Sequence, residues 1–218
     1  MAEILTYLSS ASILLPAAVS FYYFPKLNSE LKLLSVFFGI GVVTEAIVLS
    51  TSYFQVNNLW LINIFVLLEG FVLMYLIGKW FDSKRLFLVS MFLFVIYGIF
   101  WFITSLVSGN IFEFNRHEKT AKAIVLVLLS GTLLIRLSMN EQIDLLKDYR
   151  FWMTSAVLIY FAVTLIVYST ASLMLNVSHY LMHYTWSIHS GINIIANLLF
   201  THGFVCYSRR MNSYSWSP

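Results

Sequence analysis

Apolar residues in this chain fall into seven stretches of about 20, separated by short polar breaks that hold most of the charge. A helix rises about 1.5 Å per residue, so each stretch matches the ~30 Å hydrocarbon layer of a bilayer. The pattern predicts spans over 3–24, 31–54, 59–79, 86–107, 120–138, 151–175 and 184–206. The expected fold is therefore all-α and integral to the membrane, a single seven-transmembrane helix bundle over residues 1–218. No basic segment precedes the first stretch, which opens on Met1-Ala2-Glu3 and runs past Pro16. It is expected to be a retained helix rather than a cleaved leader.

The breaks also give a direction. Lys26, Lys32, Lys79, Lys84, Arg85, Arg136, Lys147, Arg150, Arg209 and Arg210 fall on one set of alternate breaks, and Arg116, Lys119 and Lys122 on the other. Basic residues favour the cytoplasmic side, so the N-terminus is expected outside and the C-terminus in the cytoplasm. Trp60 and Trp186 then lie at outer ends, with Tyr22, Tyr23, Trp80, Trp152 and Tyr207 at inner ones. Such rings suit the headgroup layer, which accommodates an apolar body and a polar tip.

Composition narrows the function classes. The chain is 60% hydrophobic and 11% charged, against roughly 25% charge in soluble domains. A soluble globular fold is excluded, and the modest net charge of +3 leaves no footprint for nucleic acid. Cys206 is the single cysteine, which rules out an intrachain disulfide or a multi-cysteine metal site. The breaks are too short to house a separate catalytic domain.

Ionisable residues inside the spans are the candidates for chemistry, because each costs about 2.5–3.5 kcal/mol at a helix centre. Glu45 lies nine residues before Phe54, and Glu69 nine after Trp60. Both are about 14 Å deep on consecutive antiparallel helices, so they can share a site. Two carboxylates at one level repel when both ionise, so one is expected to keep its proton. In the last span Trp186, Ser190, Asn193, Asn197 and Thr201 recur at three- and four-residue steps, with His189 at the edge. That stripe should face the bundle, since an unpartnered amide in hydrocarbon is penalised. Tyr160, Thr164 and Tyr168 form a similar stripe, as do Tyr97, Trp101 and Thr104. The expected ligand- or proton-binding set is Glu45, Glu69, Asn193, Asn197, His189, Trp60 and Tyr160. Simple interhelical hydrogen bonding is the competing role for the two glutamates.

His179 and His183 stand four apart and are the one candidate metal pair. The seven-helix zinc amide hydrolases of the ceramidase and adiponectin-receptor type add a further histidine and an aspartate within their spans. This chain has no aspartate in any span and no histidine in the second. Retinal needs a lysine in the last helix, whereas the final lysine here is Lys147. No cofactor is expected.

Asn57-Asn58-Leu59-Trp60 with Leu68-Glu69, Phe112-Glu113-Phe114-Asn115, Phe151-Trp152 with Leu158-Ile159-Tyr160-Phe161, Trp186-Ser187-Ile188-His189-Ser190 and Asn193-Ile194-Ile195-Ala196-Asn197 together cover nearly the whole chain. In these segments the chain resembles a group of short bacterial seven-helix membrane proteins, often encoded beside two-component signalling genes. The resemblance implies a bacterial inner-membrane location and a sensing role, and supplies no catalytic residues. It points to Trp60, Glu69, Asn115, His189, Asn193 and Asn197. The expected partners are the lipid bilayer and a membrane signalling protein or a second copy of the chain. The favoured function is a receptor-like sensory or accessory bundle with a buried site for a proton or small ligand. A proton- or ion-coupled transporter and a zinc-dependent membrane hydrolase are the alternatives.

Overall fold

Each apolar stretch folds into helix in the computed structural model, which describes residues 2–142, 144–177 and 179–214. In chain order these are α1 (Ala2–Ser12), α2 (Leu14–Tyr22), α3 (Ser29–Tyr53), α4 (Leu59–Trp80), α5 (Lys84–Trp101), α6 (Arg116–Ser138), α7 (Tyr149–Val177) and α8 (His179–Tyr214). Among the described residues, six stretches are long and apolar enough to cross a membrane: 4–22, 29–53, 59–80, 84–107, 116–138 and 149–169. The molecule is thus an all-helical, multi-pass membrane bundle.

Local chemistry explains where the helices begin and break. Asn28 caps α3 by accepting from the Leu31 amide at 2.9 Å, and Asn115 caps α6 by accepting from Glu118 at 3.3 Å; each satisfies a donor that the first turn leaves free. The first span is split at Ile13. Pro16 has no N–H for the Ser12 carbonyl and its ring crowds that carbonyl, so the ladder cannot run through. After Trp101 the fourth span widens into a π-helical turn over Phe102–Val107, closed by the Ser108 amide on Ile103 O at 3.0 Å.

Helices α8, α1–α2, α3, α4, α5, α6 and α7 pack in turn around the bundle, and α4 also touches α6 and α7. Helix α4 is the most enclosed of the six spans and α5 the least. Ring pairs Tyr149–Tyr207, Trp152–His202 and Tyr168–Trp186 show α7 and α8 running antiparallel along their length. Leu31, Leu34, Leu76, Ile77, Phe81, Leu133, Met153 and Phe204 form a tightly packed core in the lysine- and arginine-rich half. Lipid is as apolar as these side chains, so what they gain is close packing rather than escape from water. Gly203 shows how close: a Cβ there would lie 2.6 Å from Met153 Cγ.

At that same end Arg150 clasps Asp148 (Nη2 to Oδ2, 2.8 Å) and reaches Asp82 Oδ2 at 2.7 Å, tying the α4–α5 turn to the start of α7. Nearby, exposed Lys147 donates to Asp144 and holds its carboxyl below the ordinary range; such a surface pair adds little stability.

One sequence expectation is corrected here. The fifth span starts at Arg116 rather than 120, and Lys119 and Lys122 are 4% and 3% exposed on its inner face. They belong to the bundle interior and not to a solvent-facing break.

Candidate functional site

The most charged part of the interior lies between α4 and α6. Lys122 Nζ forms an ion pair with Glu69 Oε2, their side chains 4% and 17% exposed. The ammonium also donates to Val66 O at 3.5 Å and lies 5.3 Å from the Phe161 ring centre. Gly70 allows this approach: a Cβ there would sit 3.1 Å from Tyr97 Cε1 and 3.4 Å from Lys122 Cδ. The pair is neutral overall. Glu69 thus pairs with a lysine of α6 rather than with Glu45.

A second polar seam joins α8 to α1. Asn197 Nδ2 donates to Ser12 Oγ at 2.7 Å, and Asn193 Nδ2 to Ser9 Oγ at 2.9 Å. Ser12 Oγ spends its own proton on Ser9 O at 2.6 Å. It can therefore only accept from Asn197, which fixes the orientation of that amide. Asn193 and Asn197 therefore bond to serines of the first span, not to the glutamates. Replacing Asn197 with leucine is expected to cost about 0.6 kcal/mol, the average for an interhelical hydrogen bond in a membrane protein; urea or thermal unfolding in detergent measures it.

Between the ion pair and the seam lies a cavity of about 340 Å³. Its lining includes Glu45, Glu69, Tyr160, His189, Asn193 and Asn197, six of the seven residues expected from the sequence. Glu45 shares a face of α3 with Gly41 and Phe38, one and two turns before it. Its carboxylate has no hydrogen-bond or ion-pair partner among the described residues. His189 packs against Tyr160, Tyr168 and Trp186 with ring centres 5.4, 6.1 and 5.8 Å away, and its buried Nε2 has no hydrogen-bond partner among the described residues. Trp60 is the exception. It is 42% exposed and does not line the cavity. Nine residues along a helix turn about 180°, so the face of α4 that carries Glu69 inward turns Trp60 outward.

Sequence reasoning missed a third cluster. Glu118 is fully buried at the start of α6. Its Oε1 accepts from Thr104, from Ser105 at 2.5 Å and from Asn115 at 2.7 Å. The π-helical turn of the fourth span is what carries both hydroxyls to one oxygen. Asn63 donates to Ile111 O at 2.8 Å and Glu113 O at 2.9 Å, and Trp101 Nε1 donates to Asn63 O at 3.2 Å, so the 108–115 connection is pinned to α4 and α5. Lys119 Nζ sits 3.7 Å above the Phe114 ring. The signal was present in the sequence. Leu137, Leu133, Ser130, Leu126 and Ala123 step back by threes and fours to Lys119, so the buried stripe continues into the charged segment.

The side chains of His179 and His183 lie outside the described residues. Among the described residues, no group of three or more histidine, cysteine, aspartate or glutamate side chains could hold a metal ion. No family model, curated protein or solved structure matches the chain.

Proposed function

We propose that the chain is a seven-span protein of a bacterial inner membrane, a sensory or accessory bundle that takes up a proton or small polar ligand in the α3–α4–α8 cavity. The observation that carries this reading is a carboxylate, Glu45, that has no partner among the described residues and lines the same cavity as Glu69 of the buried ion pair. Intramembrane ionisable groups are costly, and a site of action is their common reason to exist. Helix α8 is the seventh span. With Lys119 and Lys122 inside the bundle, Arg116 is the remaining basic residue of the 54–58 and 108–116 end. That asymmetry supports an outer N-terminus and a cytoplasmic C-terminus. Passing a signal on requires two helix arrangements with different ligand affinity, and the broken first span, held to α8 by the Ser–Asn seam, is an element that can shift.

The test is thermal unfolding of the wild type and Glu45→Gln in detergent over a series of pH values. The wild type is expected to follow pH more steeply than Glu45→Gln. Superimposable profiles would remove the titrating site. Coupled transport is the second reading, favoured by Glu69–Lys122 because a proton arriving at Glu69 would release the lysine. Proton uptake by proteoliposomes that disappears in E69Q/K122M would select it.

A further inference from the structure

We infer that the cavity binds a small organic ammonium ion, a primary or secondary amine on an apolar or aromatic body. This deepens the ligand-binding reading above and rests on it. The argument starts from which hydrogen-bonding atoms remain available. Asn193 and Asn197 each donate from Nδ2 to Ser9 and Ser12, and each amide also carries a carbonyl oxygen that can accept. Glu45 offers two carboxylate oxygens with no partner among the described residues. The other lining carboxylate, Glu69, is taken by Lys122. The hydroxyls of Ser10, Ser190 and Tyr160 can turn either way. Glu45 is therefore the lining carboxylate without a partner among the described residues.

A carboxylate or phosphate ligand would meet acceptors and like charge, and a neutral ligand would leave Glu45 without a counter-ion. An ammonium supplies both the N–H donors and the charge. The remaining wall selects an organic cation over an inorganic one. Phe37, Phe65, Phe161 and Trp186 line the same space, and aromatic faces attract cations and pack apolar bodies. A volume of about 340 Å³ falls at the small end of ligand pockets, and greatly exceeds the ~30 Å³ share of a single water.

The experiment is a thermal-shift titration of the intact protein in detergent, at fixed ionic strength, with 2-phenylethylamine, 2-phenylethanol, phenylacetate and sodium chloride. The amine is expected to give a saturable rise in melting temperature that the alcohol, acid and salt do not. Glu45→Gln should weaken its apparent affinity by about tenfold or more, the loss of one charge-assisted hydrogen bond. Ser190→Leu, which fills the cavity and keeps Glu45, should abolish the shift, and Lys84→Gln on the far surface should leave it unchanged. Equal saturable binding of the alcohol or the acid, lost in Ser190→Leu, would overturn the ammonium assignment while the cavity stands as a ligand site. An equal saturable response to sodium would do the same. The absence of a shift with all four probes would overturn the ammonium inference together with the small-ligand reading on which it rests.

Discussion

Lys122→Met is expected to cost the folded bundle about 3–5 kcal/mol, because it leaves Glu69 in the α4–α6 interface without its counter-charge. The magnitude follows from burial. Glu69 and Lys122 are 17% and 4% exposed, well away from the exposed regime in which ion pairs contribute under 1 kcal/mol. Removing both charges is a different matter. E69Q/K122M exchanges the pair for two neutral side chains of similar volume and should recover most of the loss, since deleting a buried pair together is often nearly neutral. Denaturant unfolding of the four members of the cycle in one detergent measures the coupling. A single-variant loss below about 1 kcal/mol would mean that water reaches Glu69 and screens it.

Glu118→Ala should be nearly as damaging, at about 2–4 kcal/mol. Ser105, fully buried, and Asn115, partly buried, both lose their acceptor, and a stranded buried donor costs about 1–3 kcal/mol. Thr104 is less affected, because Phe100 O lies 2.8 Å from its hydroxyl. The comparison with Glu118→Gln separates the causes. Oε1 carries all three bonds and Oε2 has no hydrogen-bond partner among the described residues, so glutamine keeps an acceptor where it is used and should cost under about 1 kcal/mol. Hydrogen exchange across residues 102–118 gives the local readout. Protection there should fall in the alanine variant and hold in the glutamine one. Equal losses in both would show that the charge, not the acceptor geometry, sustains the turn.

These two carboxylates mark how far the sequence can be read. Glu69 stood out because nothing charged surrounds it within its stretch. Glu118 did not, because it lies among Arg116, His117 and Lys119 and a hydropathy window averages such a segment into a polar break. Helical periodicity survives that averaging. The stripe from Leu137 back to Ala123 points straight at Lys119 and Lys122, which are buried there by their phase on the helix. Trp60 shows the same rule in reverse. It was chosen for its motif, while its phase, half a turn from Glu69, sends it outward.

The length and spacing of the apolar stretches determined that this chain is a helical membrane bundle, since the bilayer sets the length of a span and leaves backbone hydrogen bonds only one local solution. Depth along each helix is likewise one-dimensional, and it brought Glu45, Glu69, Asn193 and Asn197 to a common level before any fold was known. Pairing across helices is not one-dimensional. That Glu69 meets Lys122, that the asparagines meet Ser9 and Ser12, and that Glu45 meets no partner among the described residues depends on which faces α1, α3, α4, α6 and α8 turn toward one another. Those rotations come from side-chain packing such as Lys122 against Gly70 and Gly203 against Met153, contacts between residues far apart in the chain.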